Sequence, residues 1–134
     1  MNDSSSQVPF RNTLNKSERI KSKKLIDDLF SNGSSFFLSP LKIIYIQANK
    51  DDNIPCKAAF VVSKRNFKQA VDRNKIKRML RESFRTQKEE LIKSLIHSNK
   101  KLALVFIYSN NKMPQHKVIK EKVKQCLIKL IETL

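Results

Sequence analysis

An α+β fold, with helices packed against one sheet, follows from three features of this chain. Leu102 to Tyr108 (LALVFIY) is an almost wholly apolar run of strand length, as a strand covered on both faces requires. Apolar residues then recur at Ile119, Val123, Cys126, Leu127, Leu130 and Leu134, close to the helical period. The stretch from about Ala70 to Lys88 also divides, at the same period, into an apolar and a basic side.

The remaining elements fall into place around these. Lys21 to Ser31 reads as a helix, with Ile20, Leu25, Ile26, Leu29 and Phe30 near helical spacing and Asn32-Gly33 as its stop. Phe36 to Leu38 and Leu41 to Ala48 are rich in β-branched and aromatic residues, a strand interrupted or started at Pro40. Asn49 to Asn53 turns the chain into a strand at Ala58 to Val62, where Ala58, Phe60 and Val62 share one face. The basic helix follows, with a possible continuation through Leu91 and Leu95. After Leu102 to Tyr108 a turn at Ser109 to Lys112 and a helix-start signal at Pro114 lead into the last helix. The order is α-β-β-α-β-α.

At 134 residues the chain suits one domain that folds without metal or disulfide support. Residues 1–13 are polar and unpatterned and are expected to be a disordered tail, leaving 14–134 as a single domain. There is no apolar run of about 18 residues and no signal-peptide order at the N-terminus, so a cytoplasmic protein is expected. Cys56 and Cys126 belong to no ligand or redox spacing and read as reduced thiols.

A net charge of +16 makes the folded chain repel itself unless a polyanion neutralises it. A membrane surface fits poorly, because neither a basic amphipathic helix with a broad apolar face nor a lipidation signal is present. Nucleic acid fits well. Between Lys64 and Lys88 ten Lys or Arg stand against Asp72 and Glu82 alone, so this segment supplies half the net charge. On a helical wheel, Met79, Ser83, Ile76, Leu80 and Phe84 occupy roughly 240° to 20°, counted from Arg73. Lys77, Arg81, Asn74, Arg85 and Arg78 occupy roughly 40° to 140°. Surface helices usually offset charge with opposite partners four residues apart. Here Glu82 can reach Arg78 or Arg85, but Lys77 and Arg81 are like-charged at that spacing and cost a few tenths of a kcal/mol. Phosphates relieve that cost, and the planar arginine fork suits them.

Catalytic readings find no support. His97 and His116 have no partner in a recognisable spacing, and Ser63 lies in no nucleophile-elbow sequence. The acidic pairs Asp27-Asp28, Asp51-Asp52 and Glu89-Glu90 lack the setting of a two-metal site.

The segment VSKRNFKQAVDRNKIKRMLRESFR, Val62 to Arg85, resembles the signature of the protein subunit of bacterial ribonuclease P. That pattern is a Ser-Lys-basic triplet followed by R-N-x-x-K-R-x-x-R-E-x-aromatic-R. It is matched at Ser63, Lys64, Arg65, Arg73, Asn74, Lys77, Arg78, Arg81, Glu82, Phe84 and Arg85. The resemblance extends from about Leu14 to the C-terminus.

It implies an α+β two-layer sandwich with a central mixed sheet (α-β-β-(β)-α-β-α, ribosomal-protein-S5-domain-2-like) and a left-handed β-α-β crossover, against the usual hand. It also implies a large catalytic RNA as partner, with precursor tRNA as substrate and no membrane or protein partner required. The ribonucleoprotein then removes the 5′ leader by hydrolysing one phosphodiester bond. Mg2+ held by RNA does that chemistry, with no cofactor bound by the protein alone and no catalytic side chain on it. Arg73, Asn74, Lys77, Arg78, Arg81 and Arg85 carry over as RNA contacts, joined by Lys64 and Arg65. The resemblance further implies a leader-binding cleft between the sheet and the N-terminal helix, where aromatic rings stack on bases. Phe30 matches one such aromatic, whereas the position a turn earlier is Ile26, which cannot stack in the same way. Tyr45 and Phe60 are further candidates, with packing in the sheet as their other reading.

Two rival functions share the charge. A structural protein that binds ribosomal RNA accounts for composition equally well and is separated only by the signature. A DNA-binding regulator needs a base-reading helix and usually a dimer, and no helix-turn-helix pattern is visible.

Overall fold

A computed structural model of the protein describes residues 18–20, 22–48 and 53–134. The expected tail at 1–13, the first expected helical residue Lys21 and positions 49–52 of the expected turn lie outside the described residues. The elements are α1 (Lys23–Asn32), β1 (Ser34–Leu38), β2 (Leu41–Gln47), β3 (Cys56–Val62), α2 (Ala70–Gln87), α3 (Glu89–His97), β4 (Leu102–Tyr108) and α4 (His116–Thr133). The strands form one mixed sheet in the order β1-β2-β4-β3, with β4 antiparallel to β2 and parallel to β3. β4 is therefore internal, as its apolar run required.

Two boundaries differ from expectation. The residues on either side of Pro40 are not one strand but an antiparallel hairpin, with Leu38 opposite Leu41. Proline has no N–H to give a ladder and its fixed φ suits a turn. The basic helix also stops at Gln87, and Leu91 and Leu95 belong to the separate helix α3. Lys88, at the junction, is 2 % exposed and turns inward, its ammonium 2.6 Å from the Glu18 carboxylate. The segment before α1 is further tied to the outer edge of β3 by a bridge between Arg19 and Ala58 and by Ile20 N–H donating to the Ala58 carbonyl at 3.1 Å.

Alternation along the strands creates two apolar faces. One carries Leu41, Ile43, Ala58, Val62, Leu104 and Phe106, and packs against Ile76, Leu80 and Phe84 of α2, Leu91 and Leu95 of α3, and Ile119, Val123 and Leu130 of α4. The other carries Ile44, Ala103 and Val105 and is covered in part by Leu29 of α1, with Leu25 and Ile20 beside it. The expected sheet-and-helix layers are thus present, and α1 adds partial cover on the far side.

The ends of α1 follow from local chemistry. Ser22 Oγ accepts a hydrogen bond from Leu25 N–H, satisfying one orphan donor at the N-terminus. Gly33 ends the helix with ordinary negative φ, so glycine is required there by close approach: a Cβ would collide with the Leu29 carbonyl oxygen and crowd Ile44. Among the described residues, no helix is long and apolar enough to cross a membrane.

Candidate nucleic-acid interface

Helix α2 is held by its apolar arc. Ile76, Leu80, Ser83 and Phe84 are buried, and the Phe84 ring meets Phe60 and Phe106 with centroids 6.1 and 5.6 Å away. That seating turns the opposite side outward: Asn74 and Arg78 are exposed, and Lys77 and Arg81 are half-buried beside the core. Among the described residues, no carboxylate pairs with Lys77, Arg78 or Arg81. The like-charge crowding read from the sequence therefore persists in the folded protein, with no ion pair to Lys77, Arg78 or Arg81 among the described residues.

Three of the cations in this segment have other work. Arg85 pairs with Glu82, Nη2 to Oε2 at 2.5 Å and Nε to Oε2 at 3.2 Å. That bond holds the Glu82 carboxyl below its usual range and raises the Arg85 guanidinium. The Arg85 charge is thereby partly offset within the protein. Lys88 is withdrawn into the interior, as described above. Arg73 donates through Nη1 to the carbonyl oxygens of Phe67 at 2.8 Å and Lys68 at 2.9 Å. Its guanidinium thereby organises the loop that joins β3 to α2.

The same loop is fixed from within. Ser63 Oγ accepts from Arg65 N–H at 3.0 Å, and the Ser63 carbonyl accepts from Phe67 N–H at 3.1 Å. The Phe67 ring is buried against Tyr108, 6.1 Å between centroids. Lys64 and Arg65 stand exposed on this anchored turn at the N-terminal approach to α2. The two sequence motifs, triplet and helix, are thus tied together through the Arg73 bonds.

The structure places the four residues expected to line a leader cleft in two separate surroundings. Phe30 is 52 % exposed on α1, with Ile26 half-buried one turn earlier. Tyr45 and Phe60, however, lie on the sheet face covered by α2 and α4, opposite α1. Phe60 stacks on Phe106 at 5.6 Å, and Tyr45 sits against Phe36 at 6.1 Å. They cannot line a trough beside α1, because side chains two residues apart along a strand share a face and these two share the core face.

Register identifies what does face α1. Val61 and Ile107 pack on the α1 side, and Ile107 pairs with Lys42, which pairs with Phe37. This row therefore runs Phe37, Lys42, Ile107, Val61 across the sheet. Asp28 and Asn32 border a hollow with Gln47 and Ala48, at the other end of β2. Ile26 and Phe30, on the opposite flank of α1, consequently stand on the side of the row. Phe37 is 55 % exposed and was missed from sequence. Its signal was available, since adjacent Phe36 and Phe37 on one strand must face opposite ways, and one aromatic had to leave the core. Lys64 and Arg65 follow Val62 at the same end of the sheet as this row.

Fold and site together define a class: an α+β protein with a cationic helix face on which Lys77, Arg78 and Arg81 have no carboxylate partner among the described residues. A family model for ribonuclease P matches residues 14–131, and the chain belongs to the ribonuclease P protein family, in which the protein acts with an RNA subunit as an endoribonuclease. The ribonuclease P protein component of Porphyromonas gingivalis (strain ATCC 33277) is 26% identical over 117 residues, covering 87% of this chain and 85% of that protein. That of Chlorobaculum tepidum is 33% identical over 104 residues, covering 72% and 68%. The solved ribonuclease P protein of Staphylococcus aureus superimposes with a TM-score of 0.64 at 23% identity, over 86% of this chain and 95% of that one, and shares the fold. The ribosomal-RNA-binding alternative is not favoured by these matches.

Proposed function

We propose that the exposed side of α2, with Asn74, Lys77, Arg78 and Arg81, grips phosphates of the catalytic RNA, while the trough beside α1 holds the 5′ leader of precursor tRNA. The observation that carries this reading is the absence, among the described residues, of any carboxylate paired with Lys77, Arg78 or Arg81. Lys64 and Arg65 extend the grip, Arg73 positions their loop, and Arg85 contributes a charge shared with Glu82. Single-stranded leader bases stack on Phe30 and Phe37, with Ile26 and Ile107 as apolar flanks. In this reading Mg2+ held by RNA supplies the hydrolytic chemistry, and the protein's own residues bind, orient and offset RNA self-repulsion.

Reconstitution tests it: the protein is mixed with the cognate RNA subunit and precursor tRNA cleavage is assayed at physiological magnesium. Activity that neither component shows alone is expected. Cleavage by the RNA at an unchanged rate with and without the protein would overturn the reading.

A further inference from the structure

We propose that α4 carries a second phosphate-binding strip, Lys117, Lys120 and Lys124, which seats on the same catalytic RNA that α2 grips; this rests on the subunit reading given above. The three lysines fall within roughly 60° of one another on the helix, clear of the buried stripe through Ile119, Val123 and Leu130. Lys117 and Lys120 border an open notch of about 350 Å³ with Glu82, Thr86 and His116, which puts the strip on the side of α4 next to α2. The seam between the helices is pinned by Gln87 Nε2 donating to the Lys120 carbonyl at 3.0 Å.

Charge is concentrated here a second time. From Lys112 to Lys129 there are six lysines and one acid, Glu121, and among the described residues no carboxylate pairs with the strip. Lys120 and Lys124 are like-charged at four-residue spacing, an arrangement that destabilises a helix. Lys117 occupies the first turn of α4 without an acid, where the helix dipole disfavours a cation. A polyanion relieves both costs. The occupant is the RNA on α2 rather than the leader, because α2 and α4 cover one face of the sheet and α1 with its trough the other. Exposed Lys75 and Arg78 continue the positive surface over the outer side of α2, which is only about 10–12 Å across.

The full-length protein carrying Lys117→Gln, Lys120→Gln and Lys124→Gln is compared with wild type and with a control lacking three charges outside the strip, at Lys24, Lys93 and Lys101. Affinity for the catalytic RNA is measured across monovalent salt. The triple variant is expected to lower the slope of log K against log salt by about 2 to 3, and the control by less than about 1. Thermal midpoint and affinity for a leader oligonucleotide should stay at wild-type values. Single Lys→Gln variants, each expected to lower the slope by about 1, replace the triple variant if its midpoint falls. A slope equal to the control's, or a loss confined to leader binding, overturns the strip. Failure of the wild-type protein to bind the catalytic RNA overturns instead the subunit reading, and the two failures are distinct.

Discussion

Arg73 and Phe67 are joined by a 2.8 Å hydrogen bond from guanidinium to carbonyl, so a cation of the signature helix holds the backbone of the loop that displays Lys64 and Arg65. A second bond from the same nitrogen reaches Lys68. Hydrogen bonds from charged donors contribute about 1.5–3 kcal/mol when well sheltered, and this one is half-buried. Arg73→Ala is therefore expected to cost about 1–2 kcal/mol of stability and to weaken RNA binding through the loop as well. Urea denaturation decides it: an unchanged midpoint for Arg73→Ala would remove the positioning role.

Arg78 and Arg81 have no such internal duty. The double variant Arg78→Ala with Arg81→Ala should keep stability within about 0.5 kcal/mol while lowering the salt slope of RNA binding by about 2. If the helix offsets RNA charge, precursor cleavage should fall steeply at low magnesium and recover at high magnesium. Equal loss at both concentrations would count against charge compensation.

The trough makes a paired prediction. Phe30→Ala and Phe37→Ala should each weaken binding of precursor tRNA by about 1–3 kcal/mol and leave leaderless tRNA unaffected. Ile26→Phe should strengthen it by adding a stacking ring. Phe60→Ala, in contrast, empties a site between Phe84 and Phe106 and should cost about 3–5 kcal/mol of stability. The ratio of the two Kd values, with and without leader, separates the cases: a normal ratio for Phe37→Ala would exclude Phe37 from the trough.

The thiols predict an alkaline effect. Burial pushes both Cys56 and Cys126 up to about 12, with Glu18 adding to the rise at Cys56. Between the ordinary thiol value of 9.0 and about 12, the unfolded chain loses these protons and the folded chain keeps them. Stability must then fall as pH rises through that window, by up to about 1.4 kcal/mol per pH unit for each thiol, and must be unaffected by them below it. Denaturation of Cys56→Ala with Cys126→Ala at pH 8 and 10.5 should show a smaller loss than wild type. Parallel losses would mean that other groups carry the alkaline limb.

Much of the interface was legible in the residues because helical periodicity is local. Positions three and four apart share a face wherever the helix lies, so the split of α2 into an apolar arc and a band through Lys77, Arg78 and Arg81 needed no coordinates. The apolar run at Leu102 to Tyr108 marked an internal strand for a similar reason. The residues beside α1 were less legible: Tyr45 and Phe60 were plausible as isolated aromatics, and only the sheet's two-sided packing shows which rings face α1.

The chain order alone thus indicated most of the helices and strands and the helix on which basic residues concentrate, but not the hairpin at Pro40 or the separate helix α3. Tertiary structure decided the strand order and register, the exposure of Phe37, the loop-holding role of Arg73, the pairing of Glu82 with Arg85 and not Arg78, and the burial of Lys88 against Glu18. Helical faces come from neighbours a turn apart, whereas sheet faces and buried ion pairs come from groups brought together only when distant segments pack, and no local pattern encodes that meeting.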